Sequence, residues 1–178
     1  MPPPGWHFKK GTTNMEICLA TQNNLAELEE LYDHARQFMK ENGNPNQWGD
    51  FYPLRDVLEA DIQKQQMYLC VEDGQLLAAF VFHTGPDESY GTIRDGSWKH
   101  PELDYWVIHR VASFGKVPGA AAFCLDWCKK QADRLRIDTH QDNLPMQRLI
   151  VKSGFERRGI IQCAHTGDER IAYEYSSQ

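Results

Sequence analysis

A strand that empties into a glycine loop and then into a helix of alanines constrains this chain more than any other stretch: Ile108 to Phe123, IHRVASFGKVPGAAAF. Tyr105 to Val111 is rich in β-formers, Gly115, Lys116, Pro118 and Gly119 form the loop, and the next helix opens on Ala120, Ala121 and Ala122. Amides at a helix N-terminus lack partners within the helix, and the aligned peptide dipoles place about half a positive charge there. Small side chains let an anionic group reach those amides, and Lys116 adds a charge. Two readings stand: a cradle for a phosphorylated ligand, or a strand-to-helix loop with glycine for turning. The spacing matches neither the nucleotide P-loop nor the dinucleotide G-x-G-x-x-G pattern.

Around this loop the chain reads as alternating strands and helices. Met15 to Ala20 is a short strand, and Leu25, Leu28, Leu31, Tyr32, Ala35, Phe38 and Met39 form one face of an amphipathic helix stopped by NGNP at 42–45. A shorter helix from Leu54 to Gln65 leads to two apolar runs, 67–72 and 75–83, whose separation by Asp73-Gly74 predicts a hairpin. Thr84 to Leu103 is a long connection. Strand 105–113, the glycine loop, a helix from Ala120 to Arg134 and the strand RIDTH form a parallel crossover. A helix over LPMQRLIVKSG and a hairpin of FERRGIIQC and ERIAYEY close the chain. Residues 1–14, with three prolines, read as a flexible arm, and 15–178 as one domain. The predicted class is α/β (α+β): a mixed, mostly antiparallel sheet of six to seven strands, helices on both faces, and one β-α-β crossover.

A chain of 178 residues can bury roughly 70% of its unfolded surface, so it needs no disulfide or metal to hold it. The five cysteines, at 18, 70, 124, 128 and 163, form no C-x-x-C pair, and Cys124 and Cys128 read as core residues of a helix, as suits a reducing cytoplasm. His and Cys spacing shows neither H-E-x-x-H nor paired cysteine knuckles, so no metal site is predicted. A formal charge of −6 without a basic stripe argues against nucleic acid. No run approaches the ~18 apolar residues of a membrane span, and MPPPGW lacks the features of a signal peptide, so a cytoplasmic protein is expected.

VASFGKVPGAAAF, followed by DNLPMQRLIVKSGF, resembles the two signature motifs of the GNAT N-acetyltransferase superfamily. Lys116, Gly119 and Ala121 fall on its pyrophosphate loop, with Lys in place of Arg or Gln; Asn143, Met146, Leu149, Lys152, Gly154 and Phe155 fall on the second motif. The order of elements from Met15 to Tyr175 is also similar. The resemblance implies acetyl-CoA as cofactor. The backbone of Val111, Ala112 and Ser113 would bond the pantetheine, and Phe114, Gly115, Lys116, Val117, Pro118, Gly119, Ala120 and Ala121 would hold the pyrophosphate, with Asn143 and Lys152 contributing from the next helix. An acceptor's primary amine would attack the thioester directly.

An amine with a reference pKa near 10.4 is neutral in only about one molecule in 2,500 at pH 7, so a proton acceptor is needed. Strand alternation puts His109 on one face with Val107, Val111 and Ser113, and in the family a histidine or glutamate on this strand serves as base in some members. A core or substrate-orienting role for His109 stays open. Arg110 is expected on the opposite face, ion-paired with Asp138. The family's leaving-group tyrosine position is Ile150 here, so Tyr173, Ser113 or solvent is the candidate acid. Trp48, Tyr52, His140 and Arg170 are the candidate acceptor-binding residues, beside Asn44 and Asn46; Trp48 and Tyr52 equally read as core caps, and His140 as turn chemistry. The competing function is a non-catalytic acyl-CoA-binding sensor or interaction module. The expected partner is a small-molecule or peptide amine; a homodimer stays open.

Overall fold

The computed structural model describes residues 14–178, and the flexible arm expected over 1–14 lies, up to residue 13, outside the described residues. Seven strands form one sheet, β1 (Glu16–Leu19), β2 (Met67–Glu72), β3 (Gln75–Thr84), β4 (Trp106–Ser113), β5 (Arg134–Thr139), β6 (Glu156–Gln162) and β7 (Glu169–Ser176), in the order β1-β2-β3-β4-β5-β7-β6. Every neighbouring pair is antiparallel except β4 with β5. The predicted class holds: a mixed sheet, one crossover and helices on both faces.

Local chemistry explains most of these elements. Asp73 and Gly74 both take positive φ, 50° and 76°, in the two-residue turn that joins β2 to β3, which is the geometry an Asp-Gly hairpin favours. The first helix, α1 (Leu25–Glu41), buries Leu25, Leu28, Leu31, Tyr32 and Ala35. Phe38, expected on the same stripe, is instead exposed. With α2 (Arg55–Gln63) it covers one face of the sheet in a core containing Ala79, Val81 and Ala112. The other face is covered by α3 (Ala120–Gln131) and α4 (Leu144–Lys152), whose core includes Phe80, Ile108, Ile137 and Tyr173. Cys124 and Cys128 are fully buried there, as their spacing predicted. Among the described residues no helix is long and apolar enough to cross a membrane.

Residues 84–103, for which the sequence suggests no structure, build a third core on the face of α1 and α2, where Tyr90 and Trp98 meet Val107, Ile161 and Ala172. Arg94 and Ile160 exchange two backbone hydrogen bonds of 2.9 Å, fastening the loop to β6. Just beyond, the loop backbone presses against β6 so closely that a Cβ on Gly96 would lie 1.8 Å from the Arg158 carbonyl oxygen. Gly96→Ala should therefore lower stability by about 1–3 kcal/mol, the usual range for forced overpacking. Urea denaturation checks it; an unchanged midpoint would mean that the loop is not held by this contact.

Candidate active site

The site begins with a fault in β4. Ala79 faces Ala112 and Val81 faces His109, so the single residue Phe80 stands opposite two, Arg110 and Val111. This is a β-bulge, and Arg110 takes a φ of 49°. A left-handed conformation costs a non-glycine residue roughly 1–2 kcal/mol. Tyr32, fully buried in α1, offsets that cost by donating its hydroxyl to the Arg110 carbonyl at 2.6 Å. Burial pushes the Tyr32 phenol well above its ordinary range, so it remains a donor.

The bulge corrects two expectations. Arg110 does not point away from His109: its side chain lies on the α1/α2 face, where Asp61 of α2 receives it through two hydrogen bonds of 2.8 and 2.6 Å and the Tyr52 hydroxyl accepts a third at 2.8 Å. Its partner is thus Asp61 and not Asp138. His109 shares a face with Val107 but not with Val111, which packs toward the core under α3.

The same strand opens a gap. Parallel pairing between β4 and β5 is confined to Trp106 with Leu135 and Val107 with Arg136, after which the strands part. A cavity of about 340 Å³ occupies the gap. Ile108 and Val111 of β4, Ile137 of β5 and Met146 of α4 supply apolar wall; His109, Asp87, Asp138 and Arg170 supply charge.

His109 is held by a residue the sequence reading missed. Its Nε2 lies 2.7 Å from Asp87 Oδ2, while Asp87 Oδ1 accepts the Ser89 amide at 2.9 Å. Burial pushes the Asp87 carboxyl up, but the hydrogen bond and charge of His109, with the Ser89 amide, outweigh it and hold the group below the usual carboxylate range. An anionic Asp87 only accepts, so Nε2 carries a proton toward it, and Nδ1 is the nitrogen at which the ring can take up or release a second one. That nitrogen lies 4.0 Å from Asp138 Oδ1, which accepts the Tyr90 hydroxyl at 2.7 Å. A proton acceptor, an orienting carboxylate and a second carboxylate beside the lone pair therefore meet on the cavity wall. Asp87 carries no local motif, and only the folding of loop 84–103 brings it here.

The other predicted residues divide. Trp48 is buried against Tyr32 and also lines the cavity, as do Tyr52 and Arg170. Arg170 donates to the Gln47 carbonyl at 3.3 Å and lies 3.8 Å from Asp138. Asn143 lines the cavity too, capping α4 through the Met146 amide and donating to Gln47 Oε1 at 2.9 Å. The same oxygen accepts from the buried Asn44, so much of the amide-rich loop serves its own network. His140 is corrected: it does not line the cavity, and its Nδ1 accepts the Asp142 amide at 3.1 Å, which is turn chemistry. Tyr173 is corrected as well. It lies in the core under α3 and α4 with Ile150, away from the cavity lining, because β7 alternation sends Ala172 and Glu174 to the His109 side instead.

At the far end of β4, Gly115 and Gly119 take φ of 70° and 85°, and nothing lies within 4 Å of where a Cβ on either would stand. No side chain caps α3, which starts at Ala120. Ser113 Oγ accepts the Gly115 amide at 3.1 Å, and Lys116 Nζ rests 4.7 Å from the Phe114 ring centre. Lys152 ends α4 in solvent.

No protein-family model matches the sequence, and no curated protein matches it. Solved structures do. A GNAT-family acetyltransferase from Streptococcus agalactiae 2603 is 28% identical, with a TM-score of 0.84 over 92% of this chain and 96% of its own. A chain from Staphylococcus aureus Mu50 is 26% identical, with a TM-score of 0.64 over 91% of this chain and 99% of its own. At 15% identity, yncA from Salmonella typhimurium, solved with its cofactor acetyl-CoA, shares the fold with a TM-score of 0.58 over 93% and 95% of the two chains. The strand order, the parted β4–β5 pair and this coverage give the chain the fold of GNAT-family acetyltransferases.

Proposed function

We propose that this protein is an acyl-CoA-dependent N-acetyltransferase that moves an acetyl group from acetyl-CoA to a primary amine. The observation that carries this reading is the cavity in the β4–β5 gap, lined by Asp87 and by His109 of β4, the strand that runs on into the glycine loop and the open N-terminus of α3. The space over Gly115 and Gly119 fits a pyrophosphate, since its oxygens can reach the amides at the start of α3, which no side chain caps. Acetyl-CoA supplies the electrophilic thioester when bound.

The chain's own residues do the rest. The backbone of Val111 to Ser113, beyond the pairing with β5, offers edge groups to the amide-bearing pantetheine arm. His109 Nδ1 takes the proton of the acceptor ammonium, Asp87 keeps the ring in that tautomer, and Asp138 holds the second polar position beside it. Strand amides stabilise the oxyanion formed on attack. With Ile150 and Tyr173 both in the core, the departing thiolate takes its proton from Ser113 or water; a thiol near pKa 8.5 needs little help.

Isothermal titration of acetyl-CoA tests the donor half. Gly119→Glu sets a negative charge against the helix N-terminus and should weaken binding about thirtyfold, the equivalent of ~2 kcal/mol. Equal affinity in a folded variant, or no binding by the native chain, would overturn the reading.

The second reading, an acyl-CoA sensor without catalysis, draws on one observation: no tyrosine stands where the family places its acid. Thiol release with a panel of amines separates the two, because a sensor binds acetyl-CoA and releases none.

A further inference from the structure

The acceptor side of the cavity holds a donor set that acetyl transfer does not use in full. His83, on β3 beside His109, lines the cavity with Asp87 and His109, and one donor atom from each of the three lies within 4.8 Å of the other two. The sequence concealed the set, since its members come from β3, the 84–103 loop and β4 with no motif spacing.

Each ligand is already oriented for a cation. His83 Nδ1 lies 2.9 Å from the Thr84 carbonyl, which accepts its N–H and leaves Nε2 as the lone-pair nitrogen. Asp87 is fixed through Oδ1 by the Ser89 amide and through its own amide by the Tyr105 hydroxyl at 2.9 Å, which leaves Oδ2 turned toward the two imidazoles. His109 Nε2 faces that oxygen. Two imidazoles and one carboxylate, with open positions toward a cavity, match the ligand chemistry of zinc and not of magnesium, which prefers oxygen.

We propose that His83, Asp87 and His109 form a binding site for a zinc-like divalent cation, and that the cation switches off acyl transfer. The balance of protons explains the switch. Zinc on His109 Nε2 replaces the proton shared with Asp87. The ring stays neutral by carrying its one proton on Nδ1, aimed toward Asp138, so no lone pair remains for the acceptor ammonium. The inhibition rests on the acetyltransferase reading, whereas the binding does not.

The test is titration of Zn²⁺ into the purified protein against a coloured chelator, with Mg²⁺ as control, on the native chain, His83→Ala and Asp87→Asn. One zinc per chain is expected. Loss of a group that merely hydrogen-bonds a metal ligand weakens metal sites about 10- to 100-fold, so removing the His83 ligand itself should lower affinity by at least about tenfold. Each chain is compared with its own metal-free activity, and the zinc needed to inhibit His83→Ala rises in parallel with its loss of affinity. No zinc binding would overturn the proposal. So would equal binding by all three chains, which would place the metal on other groups such as Cys18 or Cys163. Zinc bound through His83 by a chain that acetylates no amine would support the site and remove only the function argued above.

Discussion

His109→Ala lowers kcat for acetyl transfer by about 10²- to 10⁴-fold, the range for loss of a positioned proton acceptor, and leaves acetyl-CoA affinity unchanged. The split follows from the layout. His109 stands on the face of α1 and α2, whereas the glycine loop lies beyond the bulge at the other end of β4. Removing the imidazole also frees Asp87 from its 2.7 Å partner, but Ser89 still holds that carboxylate, so the loop keeps its place. Asp87→Asn is the companion. It keeps the size and the Ser89 contact but loses the anion that fixes the ring tautomer, so kcat falls while the donor still binds. Steady-state kinetics with a saturating amine, beside titration of acetyl-CoA, checks both. A kcat within about twofold of the native value in His109→Ala would assign the histidine to structure.

The largest effect on stability is expected at Glu174→Gln. Arg136 and Glu174 are each 2% exposed and meet at 2.9 Å, between Nε and Oε2. The guanidinium lies between two rings, its carbon 4.1 Å from the centre of Trp98 and 3.8 Å from that of Tyr105, and Glu174 Oε1 accepts the Lys99 amide at 3.0 Å. The pair therefore joins β5 and β7 to the end of the 84–103 loop, at Trp98 and Lys99, and to Tyr105 just beyond it. Neutralising the glutamate leaves a buried cation uncompensated, which costs about 3–5 kcal/mol. That is a large part of the roughly 5–15 kcal/mol by which domains are stable. Replacing both residues, Arg136→Met with Glu174→Leu, should recover most of the loss, since a packed apolar pair needs no compensation. Urea denaturation of the three chains measures it, and a loss under about 1 kcal/mol in the single variant would show that water reaches the pair.

What the sequence disclosed follows the range of the interactions involved. The β2–β3 hairpin, the buried stripe of α1 and the glycine loop rest on contacts a few residues apart, and each stands where its pattern predicted. The end of α3 did not follow. KKQADRLR carries no stop signal, yet the helix ends at Gln131, because Arg134 and Leu135 pair with Ser176 and Tyr175 of β7. The catalytic neighbourhood depended still more on distant partners. Nothing near Arg110 announces a positive φ; Tyr32 and Asp61 impose it from two helices. Asp87 reaches His109 only because Gly96, Trp98 and Arg136 pin a loop that looks featureless in sequence.

The bulge at Arg110 also bears on how this strand can change over evolutionary time. Upstream of it, odd-numbered residues of β4 such as Val107 and His109 face α1 and α2; downstream, even-numbered Ala112 does. The strand thus shifts phase once between the half that carries His109 and the half that leads to the glycine loop. Straightening the strand with every residue kept would restore regular alternation by turning Val111 toward α1 and Ala112 toward α3, inverting the approach to the glycine loop. Point substitutions can accumulate on either half, but the irregular conformation at Arg110 must persist, because it alone keeps the two halves of a strand of this length facing as they do.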